Sequence, residues 1–188
     1  AIFKIIEKLN QEDIVVSTTG KLSRELDEIR QNNKMENYRD VLVLGSMGHA
    51  SSIGLGISLG NRDQKIYCID GDGALIMHMG ALATIGKYSL ENFRHILINN
   101  FSHDSVGGQT TSSDIIDYSL LSQSVSYKNY FKISKEEDFN TVFPKFRDLP
   151  GPSLLEITVS KGSRKDLGRP KITPYENKQN FMNTFKFK

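Results

Sequence analysis

Six short runs of mostly apolar residues, at 13–17, 41–44, 65–70, 94–99, 128–133 and 154–159, alternate with stretches whose apolar positions recur at helical spacing. The runs are nearly continuous rather than alternating, which marks strands buried on both faces. Helices are expected near 21–31, 50–60, 74–87, 114–124 and 135–148, after an opening helix across 1–10 that carries Ile2, Ile5, Ile6 and Leu9 on one face. Such alternation predicts an α/β fold, a three-layer α/β/α sandwich around a mainly parallel six-stranded sheet. Residues 1–160 form this domain, and residues 161–188 are expected to make a tail with a short final helix that packs on the domain or on a partner.

Composition narrows the class only a little. At 188 residues and 38% hydrophobic content the chain is long enough for one well-buried core. A net charge of +2 with 24% charged residues implies no nucleic-acid partner. The charge is uneven, however: from Lys161 onward eight Lys/Arg face two Asp/Glu, a net of +6 that leaves −4 for the first 160 residues. The single cysteine, Cys68, excludes an intramolecular disulfide and suits a reducing compartment. No run approaches a membrane span and no signal peptide is visible, so a cytoplasmic location is expected. The chain opens on Ala1 rather than Met, which suggests a piece of a longer protein.

The most informative stretch is residues 71–100, GDGALIMHMGALATIGKYSLENFRHILINN. Magnesium takes one or two oxygen ligands from protein while phosphates and water supply the rest. Asp72 and Asn100 can provide that pair, because both lie just past the carboxyl ends of strands expected to be parallel neighbours, and a crossover brings them together despite the 28 positions between them. Gly71 and Gly73 leave the backbone open around Asp72, and Ala74 begins a helix whose free N–H groups suit a phosphate. The plain alternative is a βαβ unit in which Asp72 merely shapes a turn.

Two loops carry further candidates. Gly45-Ser46-Met47-Gly48-His49 follows a strand and precedes a helix start rich in small residues, so backbone must approach something there. Residues 101–109, FSHDSVGGQ, are too long and polar for a tight connection and read as an active-site loop. His103 could act there as acid or donor, with Asp104 orienting it. His49 is a weaker candidate of the same kind, while His78 and His95 read as structural. In the tail, Arg164, Lys165 and Arg169 could meet a phosphonate or form a solvated face.

The GDG and NN pair resembles the signature of thiamine diphosphate-dependent enzymes, and residues 16–21, 45–52, 71–80, 103–109 and 166–170 together resemble the phosphonopyruvate decarboxylases among them. The HDSVGGQ and DLGRP runs favour these over the related sulfopyruvate decarboxylases. The resemblance implies thiamine diphosphate and Mg²⁺ as cofactors, with Asp72, Asn100 and the backbone carbonyl of Ser102 as metal ligands. It also implies an aminopyrimidine held by the 45–49 turn through the Gly45 carbonyl and wedged by Met47. The activity implied is decarboxylation of the 2-oxo acid 3-phosphonopyruvate to phosphonoacetaldehyde. This chain would be the carboxyl-terminal, diphosphate-binding half, inactive without a pyrimidine-binding domain that brings the activating glutamate, and its exposed half-site would favour homo-oligomers. A subunit of a sulfopyruvate or other 2-oxo acid decarboxylase, and a non-catalytic phosphate- or nucleotide-binding module, are the alternatives. One departure stands out: Phe101 and Ser102 replace the Gly-Ala that usually follows the asparagine pair.

Overall fold

The computed structural model describes residues 1–35 and 39–185. Its strands are β1 (Ile14–Ser17), β2 (Arg39–Leu42), β3 (Ile66–Gly71), β4 (Phe93–Asn99), β5 (Asn129–Ile133) and β6 (Ser153–Thr158). They form one sheet in the order β2-β1-β3-β4-β6-β5, with every neighbouring pair parallel. The chain leaves β1 toward β2 on one side and returns to β3 on the other. The carboxyl ends of β1 and β3 therefore flank the switch point where open α/β sheets bind ligands.

Helices cover both faces. Val15, Tyr67, Ile69, Ile96 and Leu155 meet one layer, built from α1 (Ile2–Ile6), α2 (Lys21–Asn32) and α7 (Phe139–Asp148) through Ile5, Leu26, Phe143 and Phe146. Val16, Cys68, Phe93, Leu97 and Leu154 meet the other, which includes α3 (Ala50–Gly60), α4 (Asp72–Met77), α5 (Ala81–Tyr88) and α6 (Tyr118–Ser124). Because successive strand residues enter opposite layers and both layers are apolar, the strands carry no polar alternation. Each fully buried aliphatic or aromatic side chain here contributes about 1.5–3 kcal/mol of burial.

Several boundaries differ from the periodicity. The helix expected over 74–87 is two helices, broken where His78 adopts φ −129° and ψ 42°. The break lets the His78 ring lie 4.2 Å from that of His49 and directly over Gly48. The opening helix ends at Ile6 rather than near residue 10. A 3₁₀ turn at Ser112–Ile115 precedes α6, which starts late because Asp117 caps it by accepting the Leu120 N–H. Another 3₁₀ turn, Glu136–Asp138, precedes α7. Strand β2 begins two residues earlier than its apolar run, since the Arg30 guanidinium binds both oxygens of buried Asp40, at 2.9 and 3.0 Å. Burial raises the Asp40 pKa and Arg30 opposes the rise.

Within the described part of the tail, α8 (Pro174–Asn183) lies against edge strand β2. Thr173 and Glu176 form a reciprocal capping box that starts α8, with Pro174 at its first position. Residues 186–188 of the expected tail lie outside the described residues. Asn177 stands in for a missing strand: its Oδ1 accepts the Leu42 N–H at 2.9 Å and its Nδ2 donates to the Asp40 carbonyl at 3.3 Å. Asn177→Ala would leave these buried groups unpaired and should cost about 1–3 kcal/mol. Urea unfolding tests this, and an unchanged midpoint would mean the tail does not secure the edge. Among the described residues no helix is long and apolar enough to cross a membrane.

Candidate active site

A cavity of about 250 Å³ opens at the carboxyl ends of β1, β3, β4 and β6. Gly71, Asp72, Gly73 and Ala74 form one wall, Asn100 and residues 102–105 a second, and Thr18, Thr19, Lys21 and Leu22 a third. The loop after β6 completes it with Ser160, Gly162, Ser163 and Arg164. Parallel pairing of Gly71 with Ile98 sets the ends of β3 and β4 side by side, so Asp72 and Asn100 share one cavity as their spacing predicts.

Asp72 is 2% exposed and opens α4. Its Oδ2 accepts the Thr111 hydroxyl at 2.5 Å. Burial raises its pKa, while the Thr111 hydroxyl, the Gly73 N–H and the charge of nearby His103 work against the rise. Asn100 accepts the Ser102 N–H on Oδ1 at 3.1 Å and donates from Nδ2 to Asp104 at 2.7 Å. The Ser102 hydroxyl also donates to Asp104, at 2.9 Å, and so does the Gly162 N–H, at 2.8 Å. Asp104 thus ties the asparagine loop to the tail, and the expectation that it orients His103 is corrected: its bonds go to Asn100, Ser102 and Gly162.

His103 reaches the cavity by another route. A Cβ on Gly73 would lie 2.5 Å from its Cε1 and 2.6 Å from its Nδ1, so the imidazole rests on bare backbone. Only glycine permits that approach. The Met47 methyl lies 3.5 Å from the same point, which places Met47 and His103 over one patch of the Gly71–Gly73 turn. Carboxylate and amide oxygens, which Asp72 and Asn100 bring to this cavity, suit a hard cation, and the open turn beside them suits a diphosphate. The residues present fit Mg²⁺ and thiamine diphosphate.

Of the 45–49 turn, only Met47 lines the cavity; Gly45, Ser46, Gly48 and His49 do not. Gly45 and Gly48 have φ of 84° and 83°. A Cβ on Gly48 would meet the His78 ring at 2.5 Å and the Ala74 carbonyl at 3.0 Å. Gly48 therefore serves the close approach of the turn to α4. Exposed His49 holds the Met47 carbonyl through Nδ1 at 3.2 Å, a tie within the turn. In the tail, Arg164 lines the cavity and pairs with Glu28, whereas Lys165 and Arg169 lie outside it.

Motif spacing missed the β1 end. Thr18 is buried at the cavity with its hydroxyl unbonded, Thr19 accepts the Gly45 N–H at 3.1 Å, and Lys21 brings a cation. The rule that ligands gather beyond the carboxyl ends of parallel strands would have found them. Thr111, 39 positions from Asp72, left no signal of its own.

A family model described as thiamine pyrophosphate enzyme, C-terminal TPP binding domain, matches residues 18–157. Phosphonopyruvate decarboxylase of Streptomyces viridochromogenes is 33% identical over 96% of this chain and 44% of its own length. Sulfopyruvate decarboxylase subunit beta of Methanococcus maripaludis is 34% identical over 98% of this chain and 96% of that relative. The chain thus spans less than half of the Streptomyces relative and nearly all of the methanogen subunit. In fold it is similar to a chain from Mycobacterium smegmatis provisionally described as a thiamin diphosphate-dependent enzyme, with a TM-score of 0.68, 14% identity and coverage of 86% of this chain and 31% of that one.

Proposed function

Because the chain belongs to the C-terminal TPP-binding domain family of thiamine pyrophosphate enzymes, we propose that it is the diphosphate- and Mg²⁺-binding half of a decarboxylase acting on 3-phosphonopyruvate. The observation that carries this reading is the convergence of Asp72, Asn100, Ser102 and His103 on one cavity that also holds Lys21 and Arg164. Asp72, Asn100 and the Ser102 carbonyl would hold the metal against the diphosphate. Met47 would support the cofactor's bend, with the 45–49 turn as backing. When bound, thiamine diphosphate supplies the electron sink that lets a 2-oxo acid lose CO₂.

The remaining work falls to this chain's own side chains. His103, seated on Gly73, would donate a hydrogen bond to the substrate's carboxylate or carbonyl. Lys21 and Arg164 would take the second anionic group of the substrate, an arrangement suited to phosphonate oxygens. The pyrimidine-activating glutamate would come from a second domain. The similarity to a protein named as a beta subunit supports a partner of that kind.

The near full-length match to the methanogen beta subunit favours a second reading, in which the substrate is 3-sulfopyruvate. One assay separates them: aldehyde formation from each oxo acid, with this chain alone and with the pyrimidine-binding half added. The expected result is no turnover alone and preferential turnover of 3-phosphonopyruvate when the halves are combined. Arg164→Met should then raise KM about tenfold, as loss of a charged hydrogen bond does, with little change in kcat. Preference for 3-sulfopyruvate would replace the substrate reading, and turnover by the chain alone would overturn the half-site reading.

A further inference from the structure

Asn99, the first residue of the asparagine pair, has no place in the ligand set, yet it is 1% exposed and both ends of its side-chain amide are hydrogen-bonded. Its Nδ2 donates to Glu156 Oε1 at 3.0 Å. Its Oδ1 accepts both the Ser113 hydroxyl at 3.0 Å and the Phe101 N–H at 3.3 Å. Glu156 is itself fixed, 2% exposed, with the Tyr130 hydroxyl at 2.5 Å and Lys132 Nζ at 3.3 Å. Ser113 extends the network, since its N–H donates to Thr111 Oγ1 at 3.3 Å and that hydroxyl donates to Asp72. One hydrogen-bonded network therefore joins the Asn100 loop to the Asp72 carboxylate.

Phe101 explains why such a network is needed. Its φ of 56° is left-handed, a conformation that sterics disfavour for any residue with a Cβ. Two bonds clamp it there: its N–H on Asn99, and its carbonyl accepting the Thr111 N–H at 3.2 Å. Asn100 stands just before this reversal and Ser102 and Asp104 just beyond it, and all three line the cavity. Glycine would make the same turn unaided. We propose that Asn99, braced by Glu156, is a positioning residue that holds Phe101 left-handed and so presents the metal-binding loop. In this chain an asparagine–glutamate brace does what backbone freedom would do with glycine at position 101.

The inference rests on the cofactor reading above, so its test has one arm that does not use the cofactor. In the cofactor-free chain, amide exchange at Phe101 should rise at least tenfold in Asn99→Ala, while Ile96 in β4 stays protected. Titration with thiamine diphosphate at saturating Mg²⁺ should show at least tenfold weaker binding, and Asn99→Ala/Phe101→Gly should recover to within about threefold of wild type. If Asn99→Ala does not fold, Asn99→Ser carries the same expectations at smaller amplitude. Unchanged Phe101 exchange, or a double variant as weak as Asn99→Ala, would overturn the proposal. If wild type binds no thiamine diphosphate the cofactor reading fails instead, and the exchange arm still decides the role of Asn99.

Discussion

Asp72→Ala should abolish Mg²⁺-dependent retention of thiamine diphosphate in the assembled enzyme, with a loss of at least about 100-fold, the upper end of what removing a mere supporting partner of a metal ligand costs. Asp72 is the one carboxylate on the Gly71–Ala74 wall of the cavity. It is buried, it accepts a hydroxyl and a backbone N–H, and burial still raises its pKa. The native state without metal thus holds its proton to a higher pH than the unfolded chain does. Stability of the metal-free protein should therefore fall as pH climbs from the ordinary carboxylate range through the raised value. Asp72→Ala should remove that dependence, and Mg²⁺, which would bind only the ionised carboxylate, should reverse it. Urea midpoints across pH, with and without Mg²⁺, check the stability claim, and equilibrium dialysis checks retention. Undiminished retention by a folded Asp72→Ala protein would remove Asp72 from the metal site.

Gly73→Ala should leave the fold standing and strip the assembled enzyme of most of its turnover. The new methyl would overlap the His103 ring at 2.5 Å, and the ring, at the end of a side chain on a loop, would be what moves. Turnover should fall about 100-fold, the scale of a lost proton donor. Thermal midpoints should shift little, because no core side chain is touched. His103→Ala should show a similar loss, and Gly73→Ala/His103→Ala should be no worse than either single variant, since the overlap is then gone. Additive losses in the double variant would show that Gly73 acts through something other than His103.

The architecture was legible because burial on both faces wrote six apolar runs into the chain, and every run became a parallel strand. The break between α4 and α5 was not, since IMHMGAL is apolar throughout and the cause is tertiary: His78 closing over Gly48. The β2 boundary was misplaced for a related reason. Arg39 and Asp40 look like loop residues until Arg30 neutralises Asp40 and Asn177 satisfies the outer edge. At the site, the meeting of Asp72 and Asn100 in one cavity was readable because the βαβ crossover sets the ends of β3 and β4 side by side. Asp104 was misread because its partner Gly162 lies 58 positions away. Thr111 and Glu156 were silent, since a hydroxyl or carboxylate that braces another side chain follows no local pattern.

The claim on which all of this turns is that the cavity at the ends of β1, β3, β4 and β6 is a magnesium-dependent diphosphate site. Calorimetric titration of the chain with thiamine diphosphate measures it most directly, run with Mg²⁺, with a chelator, and with ADP in place of the cofactor. The expected result is a single site per chain that needs Mg²⁺ and prefers thiamine diphosphate to ADP. Binding that survives chelation, or that favours ADP, would contradict it and make the chain a phosphate- or nucleotide-binding module on the same scaffold.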